Sequence, residues 1–458
     1  MKSLQTYFKQ VSNFKIFSLT ILLVLLYVES CEKEPQEEPV LSLLKTMEGF
    51  DVTSNAFKTG GVILDAGNSE IISKGICWDT LPAPTIESNM IESGMGDENF
   101  IATINNLKSN TKYYVKAFAT NTRGTNYGNQ IEVSTSGNLI FDGDLNIESQ
   151  EELDLIFSKN ISKINGNLTI MHAVNTESNV GSLEALQTLK GVSGDFVIGN
   201  AGLLKSLKGL EALEKVGGDV KLLSNDEMTD LKGLSRLKTI GKNLVIRSNT
   251  GLLSLEGLSN LRVIGNNFQV QKNNRLESLK GLTSKMDIGG SIVINANPKI
   301  KNLEGLEGLK TISKDLRLSN NNQLTSLKGL DNLIAIKGTL EIDNNNHLTI
   351  LNGLHSLKNI EGNLSIGFNN QLNNLKGLDN ISLIEGLLRI VGNKKLKSLE
   401  GLNQLESIKK GIHIANNKSL YDFTALKKPL SGELVLYRVY ANLFNPSLGQ
   451  AKNGKLKP

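Results

Sequence analysis

Residues 326–349 read SLKGLDNLIAIKGTLEIDNNNHLT, and residues 350–373 read ILNGLHSLKNIEGNLSIGFNNQLN. Laid one over the other without a gap, they match Leu327 to Leu351, Gly329 to Gly353, Leu333 to Leu357, Ile336 to Ile360, Leu340 to Leu364, Ile342 to Ile366 and Asn345 to Asn369. Working outward, Gly-Leu pairs begin at Gly209, Gly233, Gly257, Gly281, Gly305, Gly329, Gly353, Gly377 and Gly401, always 24 residues apart. An asparagine keeps the same beat at Asn225, Asn249, Asn273, Asn297, Asn321, Asn345, Asn369, Asn393 and Asn417. Copies in phase over so long a stretch identify a repeat architecture. Weaker copies upstream, GDLNI (143–147), GNLTI (166–170) and GDFVI (194–198), bring the total to about twelve rungs.

A unit of this length cannot hide its own leucines, so it must stack on its neighbours and share one elongated core. Alternation in L-x-I points Leu340 and Ile342 inward and the residue between them outward. The glycines permit positive φ at corners, and the asparagines read as an internal ladder that bonds turn backbone. The expected class is all-β: a small β-sandwich, then a right-handed parallel β-helix or leucine-rich solenoid over residues 138–428. Residues 429–458 leave the repeat and are expected to cap its open end, with Tyr437, Tyr440 and Phe444 packed in that cap.

Composition removes several classes of function. Two cysteines in 458 residues are too few for a disulfide framework or a cysteine zinc site. A net charge of +4 gives no electrostatic case for nucleic acid. No H-E-x-x-H, G-x-S-x-G or Walker loop occurs, and the chain has only four histidines. SNNNQL and DNNNHL offer amide oxygens with few carboxylates, which makes a poor calcium site. The expectation is a monomeric chain with no enzymatic activity, no catalytic residue, no metal and no cofactor.

The N-terminus carries an address. Lys2, Lys9 and Lys15 precede the apolar run IFSLTILLVLLYV (16–28), too short to span hydrocarbon and matched to a secretory signal peptide over residues 1–30. Val28-Glu29-Ser30-Cys31 resembles the lipobox of bacterial lipoproteins, which implies acylation of Cys31 and a membrane contact through that anchor. The acidic, proline-bearing EKEPQEEP that follows reads as a tether over residues 31–41. It resembles the signal that sends some lipoproteins to the exposed face of the outer membrane, so the implied location is the cell surface.

Residues 42–136 alternate short apolar runs with turns, the pattern of a β-sandwich. Leu107, Thr111, Tyr113, Val115 and Ala117 follow a two-residue rhythm that resembles the fibronectin type III consensus, with Ser109 in place of its proline. The resemblance implies that Tyr113 is a tyrosine corner whose hydroxyl ties back near Leu107. Trp78 and Cys77 are expected in the core, Cys77 as an inert thiol. The block GDLNIESQEELDLIFSKNISKINGNLTI (143–170), with a short amphipathic helix around Glu151 to Phe157, resembles the start of the receptor L domain, a leucine-rich β-helix. That resemblance covers residues 138–428, without the bracketing cysteines of the animal receptors.

The repeats also separate structural slots from free ones. Between the inward pair stand Lys221, Val245, Gln269, Val293, Arg317, Glu341, Ser365, Arg389 and His413, with no Thr, acidic or aromatic ladder. His347 and His355 fall in variable outward slots. Phe368 replaces Lys272, Asn320 and Asn344 at the strand exit, either exposed to solvent or tucked into the core at that rung. Phe368, Arg317, Arg389 and His413 are therefore the candidate partner-binding residues. The function expected is a lipid-anchored surface protein for binding or adhesion, whose solenoid face takes a protein or glycan partner. The alternative is a glycan-capture lipoprotein beside an outer-membrane importer.

Overall fold

A computed structural model describes residues 38–458 apart from 138, 173–178, 283–285 and 433. The signal peptide, Cys31 and most of the acidic tether lie outside the described residues. The chain divides into two compact units, residues 1–137 and residues 138–458.

The first unit is an antiparallel sandwich. Its strands are β1 (Leu43–Thr46), β2 (Phe57–Asp65), β3 (Ser73–Asp79), β4 (Asn89–Glu92), β5 (Phe100–Ile104), β6 (Lys112–Asn121), β7 (Gly124–Tyr127) and β8 (Ile131–Ser134). One sheet has the order β1-β2-β5, the other β4-β3-β6-β7 with β8 paired to β6. Alternate residues enter the core: Phe100, Ala102 and Ile104 from β5, and Tyr113, Val115 and Ala117 from β6. The Tyr113 hydroxyl accepts from the Lys108 backbone N–H at 2.9 Å, fastening the loop before β6. Cys77 is fully buried, donates to the Lys116 carbonyl at 3.4 Å, and burial pushes its thiol pKa up to about 11. A thiol held protonated in this way is a poor nucleophile. Trp78 is half-buried against the same core.

The second unit is a parallel β-solenoid. Thirteen strands of three to five residues form one continuous sheet from Leu145–Ile147 to Tyr437–Tyr440, each strand paired in parallel with the equivalent strand of the next rung. Leu340, for instance, faces Leu316 on one side and Leu364 on the other. After the strand, the chain turns inward at every third residue: Asn345, Leu348, Leu351, Leu354, Leu357 and Ile360 are all fully buried, as are Leu340 and Ile342. One apolar core therefore runs along the unit, and each rung adds about seven large aliphatic side chains to it, each contributing roughly 1.5–3 kcal/mol on burial. A short helix, Gln150–Phe157, covers the first rung with Leu153 and Phe157; its Ser149 side chain caps it by accepting from the Glu152 N–H.

Two polar ladders hold the stack. Each asparagine of the 24-residue beat, from Asn225 to Asn417, is fully buried. The Asn321 N–H donates to Asn345 Oδ1 at 3.1 Å, and Asn321 Nδ2 donates to the Ile294 carbonyl at 2.9 Å; the same pair of bonds recurs at every rung. Asn442 continues the ladder past the repeat by accepting from the Asn417 N–H. At Gly329, φ is 109° and a Cβ would collide with the Leu303 carbonyl of the rung before, which explains why the corner keeps glycine.

The opposite face carries two-residue strands for most of its length, and here the stack is interrupted. A seven-stranded sheet ends at Asp287–Ile288, and a separate five-stranded sheet begins at Thr311–Ile312. The inward leucine slot of Leu261 and Leu309 falls on Lys285 in the sequence, and Met286 is buried one residue later. The strands still keep the 24-residue register here, with Val263 opposite Asp287 and Ile264 opposite Ile288, and the Asp287 N–H donates to the Arg262 carbonyl as the Val263 N–H does to Lys238. Ser313 Oγ, 3.2 Å from the Ile288 carbonyl, takes the place of a backbone bond. A cavity of about 550 Å³ opens there, lined by Met286, Ile288, Leu309, Lys310 and Lys337 among others.

At the C-terminal end, strand Tyr437–Tyr440 pairs with Gly411–Ala415. The helix Leu448–Lys452 closes behind it, capped reciprocally by Ser447 and Gln450. Tyr437 donates to the Pro446 carbonyl at 2.6 Å, and Phe444 meets Phe423 edge-on. Replacing Leu340 by Asp places a carboxylate with no partner in this core, which costs several kcal/mol. The variant is expected to melt far below the parent or to lose the solenoid's cooperative transition, as read by circular dichroism.

Candidate functional site

The outward side of the thirteen-stranded sheet is the surface that the repeat leaves free. Its middle slot lines up in register, with Arg317 beside Glu341, then Ser365, Arg389, His413 and finally Arg438 on the last strand. Neighbours in this stripe stand about 4.8 Å apart.

The strand entrances beneath the stripe carry a ladder of their own. Asp195 accepts from the Asp219 N–H at 2.8 Å, Asp219 from Asn243, Asn243 from Asn267, Asn267 from Ser291, and Asp315 from Thr339. It runs from Asp144 to Asn363, where Leu387 N–H is the last donor. Lys221 sits on it, 2.8 Å from Asp219 and 3.4 Å from Asp195. These carboxylates are structural acceptors. Although burial works against it, the bonds from Lys221 and Asn243 hold the Asp219 pKa below the ordinary value.

Two of the sequence candidates meet in one groove. Arg317 and Arg389 line a cavity of about 430 Å³ together with Thr339, Glu341, Asp343 and Ser365. Arg317 is neutralised, with Asp315 at 2.9 Å and Glu341 at 3.8 Å. Arg389 donates to Ser365 Oγ at 3.2 Å. Asp343 lies between them with one oxygen bonded by Asn344 Nδ2 and the other, Oδ1, buried without a hydrogen-bond partner. Burial raises its pKa, only partly offset by the charge of Arg389.

His413 stands one strand beyond Arg389. Its ring stacks on Tyr440, with centroids 5.8 Å apart and planes inclined by 28°, and its Nε2 lies 3.2 Å from the Tyr440 hydroxyl. Burial lowers the His413 pKa, and the charges of Arg389 and Arg438 lower it further. Tyr440 is 48% exposed and lies against this stripe from the neighbouring column, opposite Ala415, instead of packing in the cap. It follows a 25-residue step, pairing with Ala415 as Arg438 does with His413, outside the repeat that the sequence makes visible.

Phe368 lies at the strand exit with its ring in solvent, 41% exposed. From Asn200 to Asn416 the exit slot takes left-handed backbone at each rung, with φ of 58° at Asn320, 55° at Asn344 and 54° at Phe368. The ring leans over the next rung, where a Cβ on Gly392 would come within 2.6 Å of it. A bulky residue in this conformation costs about 1–2 kcal/mol. His347 touches the Asn322 carbonyl, and exposed His355 lies 3.9 Å from Asp331; neither enters the groove. Among the described residues no group of three or more His, Cys, Asp or Glu is placed to hold a metal, and no helix is long and apolar enough to cross a membrane. Cys31 lies outside the described residues.

No family model matches this chain, and no curated protein does. Among solved structures, the chain is similar to pectate lyase Pel3 from Pectobacterium carotovorum at 9% identity, over 77% of this chain and 91% of that chain, with a TM-score of 0.16. That neighbour is an enzyme, so the expectation that this chain has no enzymatic activity is withdrawn. At such a TM-score the likeness transfers neither a reaction nor a residue. The parallel β-solenoid rests on the chain's own strand pairing.

Two substitutions report on the site. Phe368→Asn installs the residue of the equivalent slots at 320, 344 and 416 and is expected to raise the melting temperature slightly, by relief of about 1 kcal/mol of backbone strain. For Asp343 the sign runs as in any group whose folded pKa exceeds its unfolded value: the native state binds more protons, so the charged form weakens it at neutral pH. Asp343→Asn should therefore melt higher than the parent at neutral pH. The gap should close as the pH falls through the raised carboxyl pKa, which a series of thermal melts measures.

Proposed function

We propose that this chain is a lipid-anchored surface protein in which a fibronectin type III-like sandwich carries a receptor L domain-like solenoid, and that the outward stripe of the long sheet binds a protein or glycan partner. The observation that carries the reading is the contrast between faces of one rung. Leucines and both ladders recur throughout because stacking requires them. The stripe changes from Lys221 through Arg317 to His413 although each position has the same backbone environment. A surface free to vary on a rigid scaffold is where binding groups are placed. The groove between Arg317 and Arg389, with its underbonded Asp343 carboxylate, is a polar concavity along it. The anchoring half of the proposal rests on sequence: an apolar run too short to span a bilayer, then Cys31 and an acidic tether.

One experiment with two arms tests this reading. In cells, Cys31→Ala is expected to move the chain from the membrane fraction to the soluble fraction, and an unchanged membrane fraction refutes the anchor. Purified chain is expected to be retained on immobilised cell-envelope material, and Ser365→Trp, which fills the stripe without touching the core, is expected to abolish that retention. Equal retention of parent and variant refutes the stripe as the binding face.

A further inference from the structure

We infer that the C-terminal end of the stripe, over Arg389, His413 and Arg438, binds an acidic glycan: a linear chain with a carboxylate or sulfate on its sugars, laid along the solenoid axis. The inference rests on the stripe being the binding face and adds the chemistry of what it binds.

Charge pairing separates this end from the rest of the stripe. Lys221 has Asp195 and Asp219, and Arg317 has Asp315 and Glu341. Among the described residues, Arg389, His413 and Arg438 have no carboxylate within ion-pair distance. Arg389 is held by Ser365 Oγ, and His413 by the Tyr440 hydroxyl. Asp343 feels Arg389 from across the groove without pairing to it. Two arginines therefore flank the neutral His413 ring on three adjacent parallel strands. The positive field is evident in His413, whose protonation the two arginines oppose after burial has already disfavoured it. An anion laid between them would relieve that repulsion and bond the planar guanidinium groups directly.

Shape supports a thin ligand. The next position beside the arginines is held by Gly367, Val391 and Ala415, all buried, so no side chain projects from that column until Tyr440. Phe368 stands at one end with its ring over Gly392, and Tyr440 at the other, stacked on His413. Exposed rings so placed suit the apolar face of a sugar ring. An extended acidic peptide presents side chains to one face only every ~6.8 Å, out of step with two guanidinium groups whose strands stand ~9.6 Å apart.

Binding of the full chain to alginate, dextran sulfate, uncharged dextran and polyglutamate at ~0.15 M salt, by calorimetry, tests the inference. Alginate or dextran sulfate is expected to bind, dextran not at all, and polyglutamate at least about ten-fold more weakly. Arg389→Ser combined with Arg438→Ser should weaken the acidic glycan by about ten-fold or more, and the Lys/Lys pair at these positions should recover much of it. Melting curves establish that the variants fold. Binding unchanged in the double Ser variant, or polyglutamate as tight as the glycans, overturns the inference. If Ser365→Trp abolishes envelope retention while neither acidic glycan binds, the glycan class is wrong and the stripe stands. If Ser365→Trp retains the envelope material, the underlying reading has failed.

Discussion

A buried amide has nowhere to send its hydrogen bonds except to the rung beside it, and the rest of the solenoid follows from that. Each asparagine of the ladder takes the backbone N–H of the preceding asparagine and gives its own amide to a carbonyl on the strand of the preceding rung. With no water inside, every one of these groups is satisfied only when successive rungs are in register, since a buried polar group left unpaired costs about 1–3 kcal/mol. A shift of one residue would break the ladder and turn the strand inside out together. The period is therefore set from within by polar geometry, while the leucines supply the bulk of the favourable energy. The ladder also needs an end, and Asn442 supplies it by accepting from Asn417 outside the repeat.

This arrangement divides labour within a single rung. Inward positions and ladders carry the stability, so the outward slots can hold any side chain that tolerates a half-exposed strand. The left-handed exit shows the strength of the scaffold, since Ser224, Lys272, Ala296 and Phe368 all adopt a conformation that asparagine or glycine would take more readily. Local preference is overridden because both neighbouring rungs impose the turn. Groups that interact across the outer face are likewise brought together by rung spacing, not by nearness in sequence. Arg317 and Arg389 are three turns apart along the chain yet line one groove.

Much of this was legible in one sequence because the repeat supplies its own alignment. Leu340, Ile342 and Asn345 could be placed inside from their recurrence, and the sandwich strands from the two-residue rhythm around Tyr113. The second ladder escaped notice since no single letter repeats: Asp195, Asn243, Ser291 and Thr339 share only an acceptor oxygen close to the backbone. Tyr440 and Arg438 were hidden by the longer final step, which takes them out of phase. The underbonded oxygen of Asp343 depends on Gly367 standing where the rungs above have Ser319 and Asn295, a relation between four rungs. The fold follows from composition and period, whereas the site depends on departures from them.

The gap between Asp287–Ile288 and Thr311–Ile312 has a mechanical meaning. On either side of it, a rung is clasped by strands on two faces; across it, the long sheet and the two ladders carry the load with, among the described residues, only the Ser313 hydroxyl bond on the other face. Tension applied along the axis would concentrate at this joint, so the five C-terminal turns, which hold the whole Arg389 shelf, could peel away as a block while the turns before the gap stayed closed.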